Sequence, residues 1–418
     1  NDLDEARRRF LRAYEASEQR GKPNTQYVID AAGCLFEMGE LPSWYGLLEK
    51  ISAKVPNDPS LIIAQLEGHW HIRGIVGFVL NPSLWRDASE KLLKLDKESL
   101  LAKTSLAQGL WQLGGPENEQ PADELAQQAF AQAPTDPRVV LTYIIYLQRQ
   151  MSADISAAQT AGRPISERQA ISKKILADAI AVLEAALAEH PGDVPLVVAY
   201  RDVVLNAANA LAQLGEANQA AELRERVGAC IARAVELNAD KPSPELLLAR
   251  ARYELERFDL AHPNLTPADI PALRGELDVI EQHAREATAL DPALFDGYTL
   301  QAELKRFALG PNGEELSVSE RLDKTLAIYE AARERTLTLR NLRAQLRQED
   351  RLFMLRRAFD LAMALETLDA SGRGTPATYA RADVLLQDAR VKWPEHAVTY
   401  YMQGQMLIGK GDLIGATT

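Results

Sequence analysis

Apolar positions recur three and four residues apart in window after window, with polar residues between them, so that each window presents one apolar helical face. Alternation with a period of two, the mark of a half-buried strand, is nearly absent. Short clusters of Pro, Gly, Asn and Asp separate the helical windows, and these clusters themselves recur. They read "KVPNDPSL" (54–61), "QAPTDPRV" (132–139), "EHPGDVPL" (189–196), "ALDPALF" (289–295) and "KWPEHAV" (392–398), with looser versions at "KLDKESL" (94–100) and "ELNADKPSPEL" (236–246). Each closes one alanine-rich helix and opens the next, because proline cannot continue the helix behind it. The pattern predicts an all-α chain built by repetition.

Small residues fall at regular places inside these units. In the last one Ala382, Leu386 and Ala389 precede Pro394, and Tyr400, Gly404, Leu407, Gly411 and Ala416 follow it. Glycine and alanine at such points let two helices approach closely. The same frame fits "AAGCLFEMGELPSW" with Gly39 at the turn, "LAQGLWQLGG" (106–115), and "ANALAQLGEANQA" (208–220) with Gly215 at the turn. This order resembles the tetratricopeptide repeat (TPR), a helix-turn-helix unit of about 34 residues. The resemblance implies a right-handed superhelical solenoid with about eight full repeats behind a lone N-terminal helix.

Spacings between equivalent turns all exceed the family's unit, so longer helices or inserted loops are expected at 151–166, 259–271, 308–319 and 369–378. The reading divides the chain into an N-terminal helix (1–22), near-regular repeats (23–134), repeats with elongated helices and loops (135–336), and C-terminal repeats (337–418) whose last member is truncated. The closing residues 411–416 read as the turn and first residues of a second helix in a ninth repeat. Asn1 reads as a cut or processing site.

Composition narrows the function. Lys and Arg total 47 against 59 Asp and Glu, a net charge of −12, which argues against a general nucleic-acid or anionic-membrane binder. No stretch approaches the roughly 20 apolar residues of a membrane span; "GIVGFVLNP" (74–82) is the nearest. Cys34 and Cys230, both among apolar and alanine neighbours, read as buried free thiols. Of the six histidines, His69 and His71 in "GHWHIRG" sit about 200° apart on a helix and cannot share a metal. "IGKGD" and "SGRGTP" lack the spacing and context of phosphate loops. No catalytic constellation, metal or cofactor is expected, and the chain reads as a non-enzyme.

Two features stand above this background. The first is an aromatic series on the first helices: Phe36 before Gly39, Trp70 before Gly74, Trp111 before Gly114, and Tyr253 in a looser frame. By the resemblance, this face would line a concave groove for an extended or helical peptide. Phe36, Glu37, Trp70, Gln108, Trp111, Gln112 and Tyr253 would form its wall. The competing reading is that these aromatics pack against neighbouring helices. The second is a basic stretch in which Arg340, Arg343, Arg347 and Arg351 lie on one helical stripe. It reads either as an anion-binding face or as a row of salt bridges to acidic helices. The function expected is a protein-interaction scaffold that holds a peptide or partner protein. The alternative is a non-catalytic targeting or assembly region of a larger enzyme or of a secretion or membrane-associated machine. Cytoplasm and periplasm both fit, with any membrane tether lying outside this chain.

Overall fold

The computed structural model describes residues 2–76, 79, 81–311, 313, 314, 316, 318–337 and 339, with scattered positions between 380 and 407. Among the described residues the architecture is all-α, an array of TPR-like helical hairpins. A leading helix, α1 (Asp2–Gln19), packs on α2 (Gln26–Glu37). Five hairpins then follow: α2 with α3 (Leu41–Ser52), α4 (Pro59–Val76) with α5 (Pro82–Leu95), α6 (Leu100–Leu113) with α7 (Pro116–Gln132), α8 (Pro137–Thr160) with α9 (Ile165–Glu189), and α10 (Val194–Gln213) with α11 (Ala217–Leu237). The chain continues through α12 (Pro244–Ala261), α13 (Ile270–Leu290), α14 (Phe295–Glu303) and α15 (Val318–Leu337).

Two local devices make the hairpins. Within a unit, the chain reverses at glycines with positive φ, Gly39 at 75° and Gly215 at 81°, where a side chain would strain the backbone. Between units, the residue before the new helix caps it. Asp58, Ser99, Asp136 and Asp193 each accept a hydrogen bond from a backbone N–H of the first turn that follows. The aspartate of the "PxDP" clusters therefore opens the helix whose predecessor the proline closes.

Three sequence expectations need correction. Gly74 is not a turn glycine, because α4 continues to Val76 and the next helix is entered through Asn81 in the left-handed region (φ 54°). Residues 151–166 are mostly helix rather than loop: α8 and α9 run for 24 and 25 residues and leave only 161–164 between them. The polar residues there face solvent along two long helices instead of filling a coil. One helix, α10, is also long and apolar enough to cross a membrane by length and composition. Its Leu196, Val197, Val203 and Val204 are buried, and it packs on α9 and α11. The expected insertion after α12 does form a loop, at residues 262–269.

The chain divides into two compact units, one through Arg250 and one from Ala251. In the first unit the leading helices of successive hairpins approach one another, α2 to α4, α4 to α6, α6 to α8 and α8 to α10. In the second unit Phe295, Tyr298, Ala302, Tyr329 and Ala332 form a core. Beside it Glu281 is buried and accepts hydrogen bonds from Lys305 (2.6 Å) and Arg285 (2.7 Å). Burial alone would raise its pKa, but the two cations hold it below the ordinary carboxylate value. Arg340, Arg343, Arg347 and Arg351 lie outside the described residues, as do 369–378 and the closing residues 411–416.

Candidate binding face on the first helices

The face shared by α4, α6 and α8 carries a connected polar ladder. Trp70 Nε1 donates to Ser105 Oγ at 2.7 Å, and Arg73 Nε donates to Gln108 Oε1 at 3.2 Å. Gln108 Nε2 in turn donates to Thr142 Oγ1 at 3.4 Å, and Thr142 donates to the Arg138 carbonyl at 2.9 Å. The Arg138 side chain in turn pairs with Glu67 of α4 at 2.7 Å. Ser105, Gln108 and Thr142 are all buried, so each polar side chain depends on the others for its partners.

Sequence separations in this ladder are 35, 35 and 34 residues, and 71 for the pair that skips one hairpin. These values match the family's unit more closely than the turn spacings do. A search for polar residues recurring at that offset would have found Ser105, Thr142, Arg73 and Arg138, of which Arg138 alone falls inside a turn cluster.

Trp70 is half-buried, and two guanidinium groups lie over its ring, those of Arg73 and Arg138, at 5.3 and 5.5 Å from the centroid. The two cations differ. Arg138 has Glu67, whereas Arg73 has no carboxylate in ion-pair range among the described residues, and burial penalises its charged form. A partly buried cation held by a neutral amide and an indole retains most of its unpaired charge.

The remaining wall residues are placed differently. Phe36 is packed edge-on against Trp44 (5.2 Å) and His71 (5.4 Å) and is 9% exposed. Trp111 is 8% exposed and donates from Nε1 to Asp123 Oδ1 at 2.8 Å, with Arg149 over its ring. Tyr253, in the second unit, is 6% exposed. Phe36, Trp111 and Tyr253 are buried, the placement given by the competing reading of these aromatics. Of the four aromatics Trp70 alone is only partly buried. Gln108 is buried, while Glu37 and Gln112 are exposed.

Behind this face lies an aromatic core. His69, 1% exposed, meets Trp44, Tyr45 and Trp85 at ring-centroid distances of 5.8, 5.5 and 5.5 Å. Its Nδ1 bonds the Tyr45 hydroxyl at 3.2 Å, its Nε2 has no partner among the described residues, and burial lowers its pKa to about 4. Gly68 lets Trp44 cross the helix here, since a Cβ would stand 2.4 Å from the indole. Among the described residues no three His, Cys, Asp or Glu side chains converge as a metal would need.

No protein-family model and no curated protein matches the chain. Solved structures similar to it include human IFIT1 in a dimer with m7Gppp-AAAA, at 13% identity and a TM-score of 0.41, covering 97% of this chain and 83% of that one. TTC0263, a thermophilic TPR protein of Thermus thermophilus, is 19% identical with a TM-score of 0.34, covering 53% of this chain and 90% of that one. Yeast Tom70 is 13% identical with a TM-score of 0.35, covering 99% and 86%.

Proposed function

We propose that this chain is a non-catalytic protein-interaction scaffold, and that a partner's peptide segment lies along the face of α4, α6 and α8. The observation that carries the reading is Arg73: a partly buried guanidinium, fixed by Gln108 and Trp70, with no carboxylate of its own among the described residues. A partner carboxylate or carbonyl arriving there would gain a charge-assisted hydrogen bond to a donor already immobilised. The partly buried Trp70 indole beside it is held in place by Ser105, a rigid anchor of the kind on which binding energy concentrates.

The test is affinity capture from the native lysate with wild type and with Trp70→Ala/Arg73→Gln, after circular dichroism has shown equal helicity. A protein retained by the wild type and lost by the variant supports the reading. Equal capture by both chains overturns it for this face. Loss of the captured material on nuclease treatment overturns it in favour of a nucleic-acid ligand.

A further inference from the structure

A second surface lies on the trailing helices α9 and α11, away from the Trp70 ladder. Both helices pack on α10 and leave between them two adjoining hollows of about 320 and 220 Å³ that share Glu184 as a wall. The lining of α9 runs as one helical stripe from Lys173 to Ala188, about 22 Å along the axis. The facing stripe of α11 runs from Gln219 to Arg233. Leu176, Ile180, Leu211 and Leu223 make the hollow apolar, and Ala181, Ala207 and Ala210 keep it open.

The rim is basic in an acidic chain. Lys173, Arg226 and Arg233 face Glu184 and Glu216. Lys173 pairs with Glu216 at 2.7 Å, and Arg226 reaches across the groove to Glu184, which also accepts from Tyr200. Arg233 is exposed and has no partner among the described residues. Both carboxylates are therefore engaged, and the charge left over is positive.

From this we propose that the α9–α11 groove is a docking site for a short amphipathic helix of a partner protein, with an apolar face and acidic flanks. The two hollows together suit about 15 helical residues, lying over the Arg226–Glu184 pair that crosses between them. The alanines admit a helix backbone closely, and leucines at three- and four-residue spacing would meet Leu176, Ile180 and Leu223. Acidic flanks match Arg233 and the outer nitrogens of Arg226. A second copy of this chain fits less well, because its net charge of −12 sets the two bodies against each other.

The probe is a fluorescein-labelled amphipathic peptide of about 15 residues, leucine-faced and flanked by glutamate, compared with the same peptide flanked by lysine. Anisotropy should show the acidic peptide binding about tenfold more tightly. Ala181→Phe, at an exposed position, should abolish binding, and Arg233→Glu should erase the preference. Cys230 lines the groove whereas Cys34 is buried elsewhere, so bound acidic peptide should slow the labelling of Cys230 by a thiol reagent. No binding of either peptide, equal binding of both, or binding that Ala181→Phe leaves intact would overturn the proposal. So would a wild-type dimer in sedimentation that Ala181→Phe dissociates, since the occupant would then be a second copy. Trp70 and Arg73 play no part in this outcome, which separates it from the test of the ladder.

Discussion

The first unit contains two stretches built from the same hairpin and filled in opposite ways. From α2 to α7 the space between helices is taken by large rings: Trp44, Trp85 and Trp111 are buried, Trp70 is half-buried, and Phe36 and His69 pack among them. From α8 to α11 there is no tryptophan; alanines such as Ala179, Ala186, Ala207, Ala208, Ala220 and Ala234 are buried, as Ala88, Ala102, Ala107 and Ala122 are in the first stretch, so the difference lies in the rings. Rings hold helices apart and fill the gap, which fixes polar groups such as the Ser105–Trp70 pair in one geometry. Alanines draw helices together in one place and leave a hollow beside the contact, which the Arg226–Glu184 pair crosses. The first mode makes a rigid face and the second an open groove.

Substitutions at matched positions test this contrast. Trp85 is fully buried, and Trp85→Ala should cost about 4 kcal/mol in urea unfolding, since the surrounding rings cannot collapse into the space. Protonation should come next. His69 is neutral in the fold with a pKa near 4, against an ordinary value near 6.5, so the unfolded chain takes the proton first. Its contribution is whole above about pH 6.5 and is lost as the pH falls toward 4, by an amount on the order of 3 kcal/mol. His69→Gln, which keeps a partner for Tyr45, should flatten that slope. If the variant's stability falls with pH as steeply as the wild type's, the histidine is not the group responsible. The smallest effect belongs to the alanine stretch: Ala177→Leu, exposed at the groove, should change stability by less than about 0.5 kcal/mol. A large loss there would mean the groove is already closed in solution.

Much of the fold was legible in the sequence because helices and turns are specified locally. Gly39 and Gly215 reverse the chain as their spacing implied, and the proline clusters at 54–61, 132–139 and 189–196 fall at the junctions between hairpins. The failures were also local ambiguities. The polar run at 151–166 has the composition of a loop, but Met151, Ile155 and Ala158 keep a helical spacing, and Ala158 is buried. The site was harder to read. An aromatic before a turn glycine has the same sequence signature whether its ring points into a groove or between helices. Only the packing of the next helix decides, as Asp123 of α7 does for Trp111 of α6. Arg73 became visible as a candidate only once Gln108, 35 residues on, was seen to hold it without a carboxylate.

The long hairpin of α8 and α9 has a mechanical consequence. At 24 residues α8 is ten longer than α6, or about 15 Å, and its turn at 161–164 is fully exposed. Gly162 at that tip has a φ of 68° with nothing near it. Extra residues inserted there would displace no packed side chain and break none of the helical ladder. The tip is therefore a natural mounting point on this molecule, where a fluorophore or tether would report on both surfaces without touching either.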